Sequence, residues 1–159
     1  MQKKEKFKID KTDRTILNML VENSRMTNME IGKALGLSHD AVRYRIEKMM
    51  DAGIITNFTV NVNPTELGLP IWGDLIVSVW NLTEKRYKEW VEYLKNNSNI
   101  VAVWNLSGKY EWFIEIFTTD LGKFNEITNE IKLKFSDIIK DMESAFVLKE
   151  LKYYRYPIF

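Results

Sequence analysis

Between Thr27 and Gly53 the helix punctuation is dense enough to fix the local architecture. Thr27 followed three residues later by Glu30 has the spacing of a capping box, in which each side chain accepts a backbone N–H at the other residue. Met29, Ile31, Ala34 and Leu35 then offer an apolar side, and Gly36 can take the positive φ that ends a helix. Ser38 is placed to cap a further helix whose Val42, Ile46 and Met49 fall at i, i+4 and i+7, with Gly53 as terminator. Upstream, Ile16, Leu17, Leu20 and Val21 recur at helical spacing from Asp13 to about Asn23, and Asp10 or Thr12 can cap that helix. The expectation is three short helices, the last two joined by a very short turn.

After Gly53 the period changes to two. Phe58, Val60 and Val62 alternate with Thr59 and Asn61, the pattern of a half-exposed strand, here a wing or linking strand. Pro64, Gly68 and Pro70 break regular structure, so the expected division is a DNA-binding-type head over 1–63, a linker over 64–70 and a second domain over 71–159. That second domain reads as a strand from Ile71 to Trp80, a helix from Thr83 to Asn97 striped by Tyr87, Trp90, Val91 and Leu94, and strands Ile100–Leu106 and Trp112–Thr118 around a turn at Gly108. Phe124, Ile127, Ile131 and Phe135 stripe a second helix, and a last strand is expected from Ser144 to about Leu151. The order βαββαβ is that of a ferredoxin-like sandwich, so the fold class is α+β: a winged helix-turn-helix followed by an antiparallel sheet with helices on one face. The other face then needs a cover, for which a second copy of the chain is the natural candidate.

Charge and composition exclude several functions. Eleven of the 23 basic residues and eight of the 22 acidic residues precede Pro64, a mildly basic head on a mildly acidic body. Without cysteine there is no disulfide, thiolate metal site or thiol nucleophile. The single histidine, His39, leaves no second one for a Ser/His triad or a His-rich metal site, and no glycine-rich phosphate loop occurs. No catalytic residues, metal or cofactor are expected. No apolar run approaches the length of a membrane span and no apolar segment opens the chain, so the expectation is a soluble, cytoplasmic protein without a membrane partner.

In a helix-turn-helix the second helix enters the major groove with its capped end near the phosphates. Here that helix starts at Ser38. Turning Val42, Ile46 and Met49 inward leaves His39, Asp40, Arg43, Tyr44, Glu47 and Lys48 outward, with Arg45 at the edge of the buried stripe. Arg43 and Tyr44 are the expected base or groove contacts, and Ser38, His39, Arg45 and Lys48 complete the duplex-DNA set, Arg45 and Lys48 toward phosphate. The plainer reading of the same residues is a solvated charged face.

Asp13, Ile16 and Leu17, then Glu30 and Ile31, then Leu35, Gly36, Leu37 and Ser38 through the turn, make an ordered series with Val42, Arg45, Ile46, Gly53, Ile54, Ile55, Pro64, Leu67 and Gly68. On these residues the chain resembles the Lrp/AsnC, or feast/famine, family of regulators, and the second half resembles the family's ligand-binding and assembly domain in strand order. The resemblance implies a dimer paired through linking strands and sheets, often stacked into rings, with amino-acid effectors between subunits. It also implies an effector turn with a glycine before an acidic residue. Gly108, Lys109, Tyr110 and Glu111 occupy that position, with Glu where Asp is more usual. A carboxylate beside turn amides suits a small zwitterion; equally, Gly108 only permits a tight turn and Glu111 is solvated.

Asp120 is either a further effector contact or, with Thr119, a cap of the helix that follows. The run Lys149, Lys152, Tyr153, Tyr154, Arg155 and Tyr156 mixes bases and aromatics as single-strand binders do, and also suits a final strand with a polar face. The five Trp residues read as core or dimer packing rather than a ligand cage. Two alternative functions stand beside DNA-binding regulation. Siroheme decarboxylases resemble the same two-domain family but carry a histidine near the sheet's ligand site, and the second half here has none. A sensor or scaffold without DNA binding would exploit Asp40 and Glu47, which repel phosphates.

Overall fold

The computed structural model describes residues 7–152 and 157–158, in two compact units. One runs to Asn61 and includes the described tail from Lys152; the other runs from Val62 to Leu151. No helix among the described residues is long and apolar enough to cross a membrane.

The first unit holds α1 (Lys11–Glu22), α2 (Asn28–Leu35) and α3 (His39–Asp51). Its caps are local and complete. Asp10 and Asp13 form a reciprocal capping box on α1, Thr27 and Glu30 another on α2, and Ser38 accepts the Ala41 N–H on α3. Gly36 takes φ 68°, and Gly53 takes φ 71° in a Schellman close, with Gly53 N–H donating to Met50 and Ile54 N–H to Met49. Ile16, Leu20, Ile31, Val42, Ile46 and Met49 form the core, each contributing about 1.5–3 kcal/mol by burial. The apolar side of α2 is narrower than its sequence suggests: Met29 and Ala34 face solvent, and Gly32 is buried instead. A Cβ on Gly32 would stand 2.6 Å from the Leu37 carbonyl oxygen, so the tight helix–turn–helix approach requires glycine there.

The expected strand at Phe58–Val62 does not form; the segment has no strand pairing, and Phe58, Val60 and Val62 are exposed. Alternation prepares a strand, but its backbone must find a partner, and the described residues supply none. Pro64 to Leu69 instead make a tight turn closed by Leu67 and Leu69 N–H on the Pro64 carbonyl.

The second unit contains β1 (Ile71–Val79), α4 (Glu84–Asn96), β2 (Ile100–Asn105), β3 (Trp112–Thr118), α5 (Leu121–Lys134) and β4 (Ile139–Phe146). The sheet order is β2-β3-β1-β4 with all neighbours antiparallel, the split βαβ arrangement of a ferredoxin-like fold. Leu75, Val77, Trp112, Ile114 and Ile116 face Trp90 and Leu94 of α4 and Phe124, Ile127, Ile131 and Phe135 of α5. Trp90 is the hub, edge-on to Phe135 and Trp112 at 4.9 and 6.0 Å. Tyr87, half exposed, still lies 6.1 Å from the Trp112 ring. The last strand starts earlier than expected, at Ile139 rather than Ser144. Its outward residues are charged and its alternation is weak, so pairing with β1 defines it rather than its own pattern. Tyr153 to Tyr156 lie outside the described residues.

Candidate nucleic-acid interface and effector region

Ser38 ends a turn and starts α3, so its Oγ is committed to the Ala41 N–H at 3.1 Å while the neighbouring first-turn amides remain open to an anion. His39, Arg43, Tyr44 and Lys48 are all exposed along the same helix. Asp40 stands between His39 and Arg43, 3.4 Å from His39 Nδ1 and 3.3 Å from Arg43 Nη2. Lys48 Nζ lies 5.5 Å above the Tyr44 ring. Lys8, Tyr44, Arg45 and Lys48 share the wall of a groove of about 560 Å³ with Phe7, Asp10, Asp13 and Ala41.

Arg45 is placed differently from its neighbours. Its Nη1 donates to Asp10 Oδ2 and Asp13 Oδ1, both at 2.7 Å, and the Asp13 side chain is only 3% exposed. The hydrogen bonds to Asp10 and then Asp13 push the Arg45 pKa upward. Asp10 is lowered, first by the Asp13 amide and then by Arg45. Arg45, expected toward phosphate, is bonded to these two carboxylates and joins α3 to the capped start of α1. Sequence reasoning singled out Arg45 and Asp13 separately; the missing signal was their separation of 32 residues.

In the second unit the β2–β3 turn brings Gly108, Lys109, Tyr110 and Glu111 together. Gly108 has φ 146°, which favours glycine. Glu111 is built into the sheet: its N–H donates to Val77, its carbonyl accepts Leu106 N–H and Asn105 Nδ2, and its Oε2 accepts Val79 N–H at 3.0 Å. The carboxylate bridges the β1 irregularity between Ser78 and Val79. Lys109 Nζ donates to the Tyr110 hydroxyl at 2.9 Å, and that hydroxyl meets Glu143 and Asp141 of β4. The Glu143 contact is the largest influence raising the Tyr110 pKa, while Tyr110 raises that of Lys109. Asp120 is not part of this group. It caps α5, accepting Lys123 N–H at 2.9 Å and the Thr119 hydroxyl at 2.8 Å. It lies beyond the other end of β3, a strand about 20 Å long. Among the described residues no cluster of three or more His, Cys, Asp or Glu is arranged to hold a metal.

A capped, outward-facing helix of a helix-turn-helix and a ferredoxin-like second unit define a class: a DNA-binding head with a regulatory domain. Residues 9–56 match the winged helix-turn-helix DNA-binding family and residues 75–157 the Lrp/AsnC ligand binding domain. The chain belongs to the Lrp/AsnC family, whose members are transcriptional regulators and not enzymes. It is 33% identical over 121 residues to the HTH-type transcriptional regulator Ptr1 of Methanocaldococcus jannaschii, covering 73% of this chain and 78% of that one. It is 28% identical over 145 residues to the regulatory protein AsnC of Escherichia coli, covering 91% and 93%. The crystal structure of transcriptional regulator NMB0573 from Neisseria meningitidis in complex with L-Met superposes with TM-score 0.83 at 27% identity, covering 92% of this chain and 94% of that one. The chain is accordingly a DNA-binding transcriptional regulator with a ligand-binding domain.

Proposed function

We propose that the protein reads duplex DNA through Ser38, His39, Arg43, Tyr44 and Lys48, as a cytoplasmic homodimer or ring of dimers whose DNA affinity responds to a small effector. The division 1–63, 64–70 and 71–159 then separates reading head, linker and sensing domain. The observation that carries this reading is α3: capped at Ser38, anchored by Val42, Ile46 and Met49, and exposing Arg43, Tyr44 and Lys48. Arg43 has the reach for a bidentate guanine contact, worth about 1–3 kcal/mol of base discrimination. Arg45 acts by holding α3 against α1. Dimerisation is supported by the unpaired alternating segment Phe58–Val62 and by a sheet face rich in Trp and Phe.

For the effector, the similarity to a regulator crystallised with L-Met supports an amino acid. Gly108, Lys109 and Tyr110 offer the turn and its polar groups; Glu111 serves mainly to hold the turn, and Asp120 to cap α5. The test is selection of bound fragments from random duplex DNA at fixed salt, with wild type and Arg43→Ala. An enriched palindrome that loses definition at one base step in the variant supports the reading. Equal selection by both proteins removes Arg43 from it, and no enrichment leaves a sensor that does not read sequence.

A further inference from the structure

On the sheet face opposite α4 and α5 two carboxylates stand side by side on the central strands, where none is needed to fold. Cross-strand register places Asp74 of β1 directly opposite Glu115 of β3, with Trp72 opposite Phe117 on one side and Ile76 opposite Phe113 on the other. The Trp72 and Phe117 rings are 5.1 Å apart, and Trp104 and Phe113 are 5.4 Å apart. Like charges directly opposite on a sheet destabilise it. Asp74 is 8% exposed, and its buried Oδ1 has no hydrogen-bond donor. The register sets the Glu115 carboxyl opposite that residue.

Among the described residues the register sets no cation opposite either carboxyl; Lys109, with Tyr110, reaches Glu143 and Asp141 further along β4. On this face β2 sets Ala102 opposite Glu115, and β4 sets Ala145 opposite Asp74 with Glu143 and Asp141 further along. Glu150, past β4, acts on Glu115 as a third negative charge. Burial raises the pKa of Asp74, against a smaller lowering by the Trp72 indole, whose N–H is itself outside hydrogen-bonding geometry. Glu115 is raised by burial, then by Asp74 and Glu150.

We infer that Asp74 and Glu115 share one proton, and that closing this face against a second copy of the chain takes up further protons, so self-association tightens as pH falls. The inference rests on the dimer reading above. Two identical faces bring both acidic pairs into one low-dielectric layer, where the charged form is least favoured. The dimer then binds more protons than two separated chains, and its dissociation constant rises with pH by about tenfold per unit for each proton taken up.

Sedimentation equilibrium of the full chain from pH 5 to 8 tests this with wild type, Glu115→Gln and Asp74→Asn. The expected result is a wild-type dissociation constant that rises with pH, and a flatter profile in both variants, with Glu115→Gln tighter than wild type at pH 8. The same slope in all three proteins, or no slope in wild type, overturns the linkage while leaving the dimer intact. A wild-type monomer at every pH overturns the dimer reading and the linkage with it. Carboxyl ¹³C NMR of the wild type, assigned with the two variants, reads the shared proton independently of assembly: one carboxyl titrating well above the ordinary range supports it, and two ordinary titrations overturn it.

Discussion

Arg45 of α3 donates to the buried carboxylate of Asp13 in α1 at 2.7 Å, across 32 residues of chain. This ties α3 to the start of the first helix, where Asp13 also closes the α1 capping box on Asp10. Arg45 on the edge of α3 thus holds two helices together, while Arg43 and Lys48 on the same helix are exposed to solvent.

Asp13→Ala leaves Arg45 without its buried partner and α1 without half of its capping box. The expected cost is about 1–3 kcal/mol in the first unit, seen as earlier thermal unfolding. Arg43→Ala, which leaves this clamp untouched, is expected to unfold as wild type does. Equal unfolding of Asp13→Ala and wild type would show that the clamp does not hold the helices.

Asp40 sits on the exposed side of α3 within 3.3 Å of Arg43. If α3 reads DNA as proposed, its charge opposes the phosphates and competes for the guanidinium. Asp40→Asn is expected to tighten DNA binding a few-fold at low salt, measured by fluorescence anisotropy, with the gain shrinking as salt rises.

Gly32→Ala drives a methyl group to 2.6 Å from the Leu37 carbonyl oxygen, which is backbone and moves only with the turn. The expected loss is about 1–3 kcal/mol of stability, together with DNA affinity, because the turn sets the angle of α3. Retention of wild-type values in both measurements would mean that the turn yields freely.

Glu111→Ala removes the acceptor of the Val79 N–H at the β1 irregularity. Its expected signature is a loss of about 1 kcal/mol or more in the second unit, visible in denaturant unfolding without any effector present. A stable variant with an abolished amino-acid response would instead make Glu111 a direct effector contact.

The caps of the first unit fix its response to acid. Glu30 is held below the ordinary carboxylate value, first by the Thr27 N–H and then by the Thr27 hydroxyl, and Asp10 is lowered by the Asp13 amide and Arg45. A lowered folded-state pKa contributes stability that is present above the unfolded value near pH 4 and is lost as pH falls through the folded one. The melting temperature of this unit is therefore expected to fall below about pH 4, and Glu30→Gln to reduce that acid dependence.

The local signals were strong because their partners lie within four residues. Thr27 and Glu30, Gly36, Ser38 and Gly53 each act on backbone groups one helical turn away, so the three helices follow from the amino-acid order alone. The apolar periods from Ile71 to Phe135 likewise defined the strands and helices of the second unit up to α5, since each buries its own stripe. Tertiary structure decided what depends on distant partners. Phe58–Val62 alternates as a strand does, yet finds nothing among the described residues to pair with. The last strand begins at Ile139 because β1 offers hydrogen bonds there, although its own pattern is faint. Arg45 turns to Asp13 rather than outward, Glu111 holds Val79, and Asp74 faces Glu115 through a cross-strand register of 41 residues' separation. Charge and helical face say where a side chain starts; which distant group it meets is set by the packing of whole elements, and that packing determines whether the charge is free for a ligand.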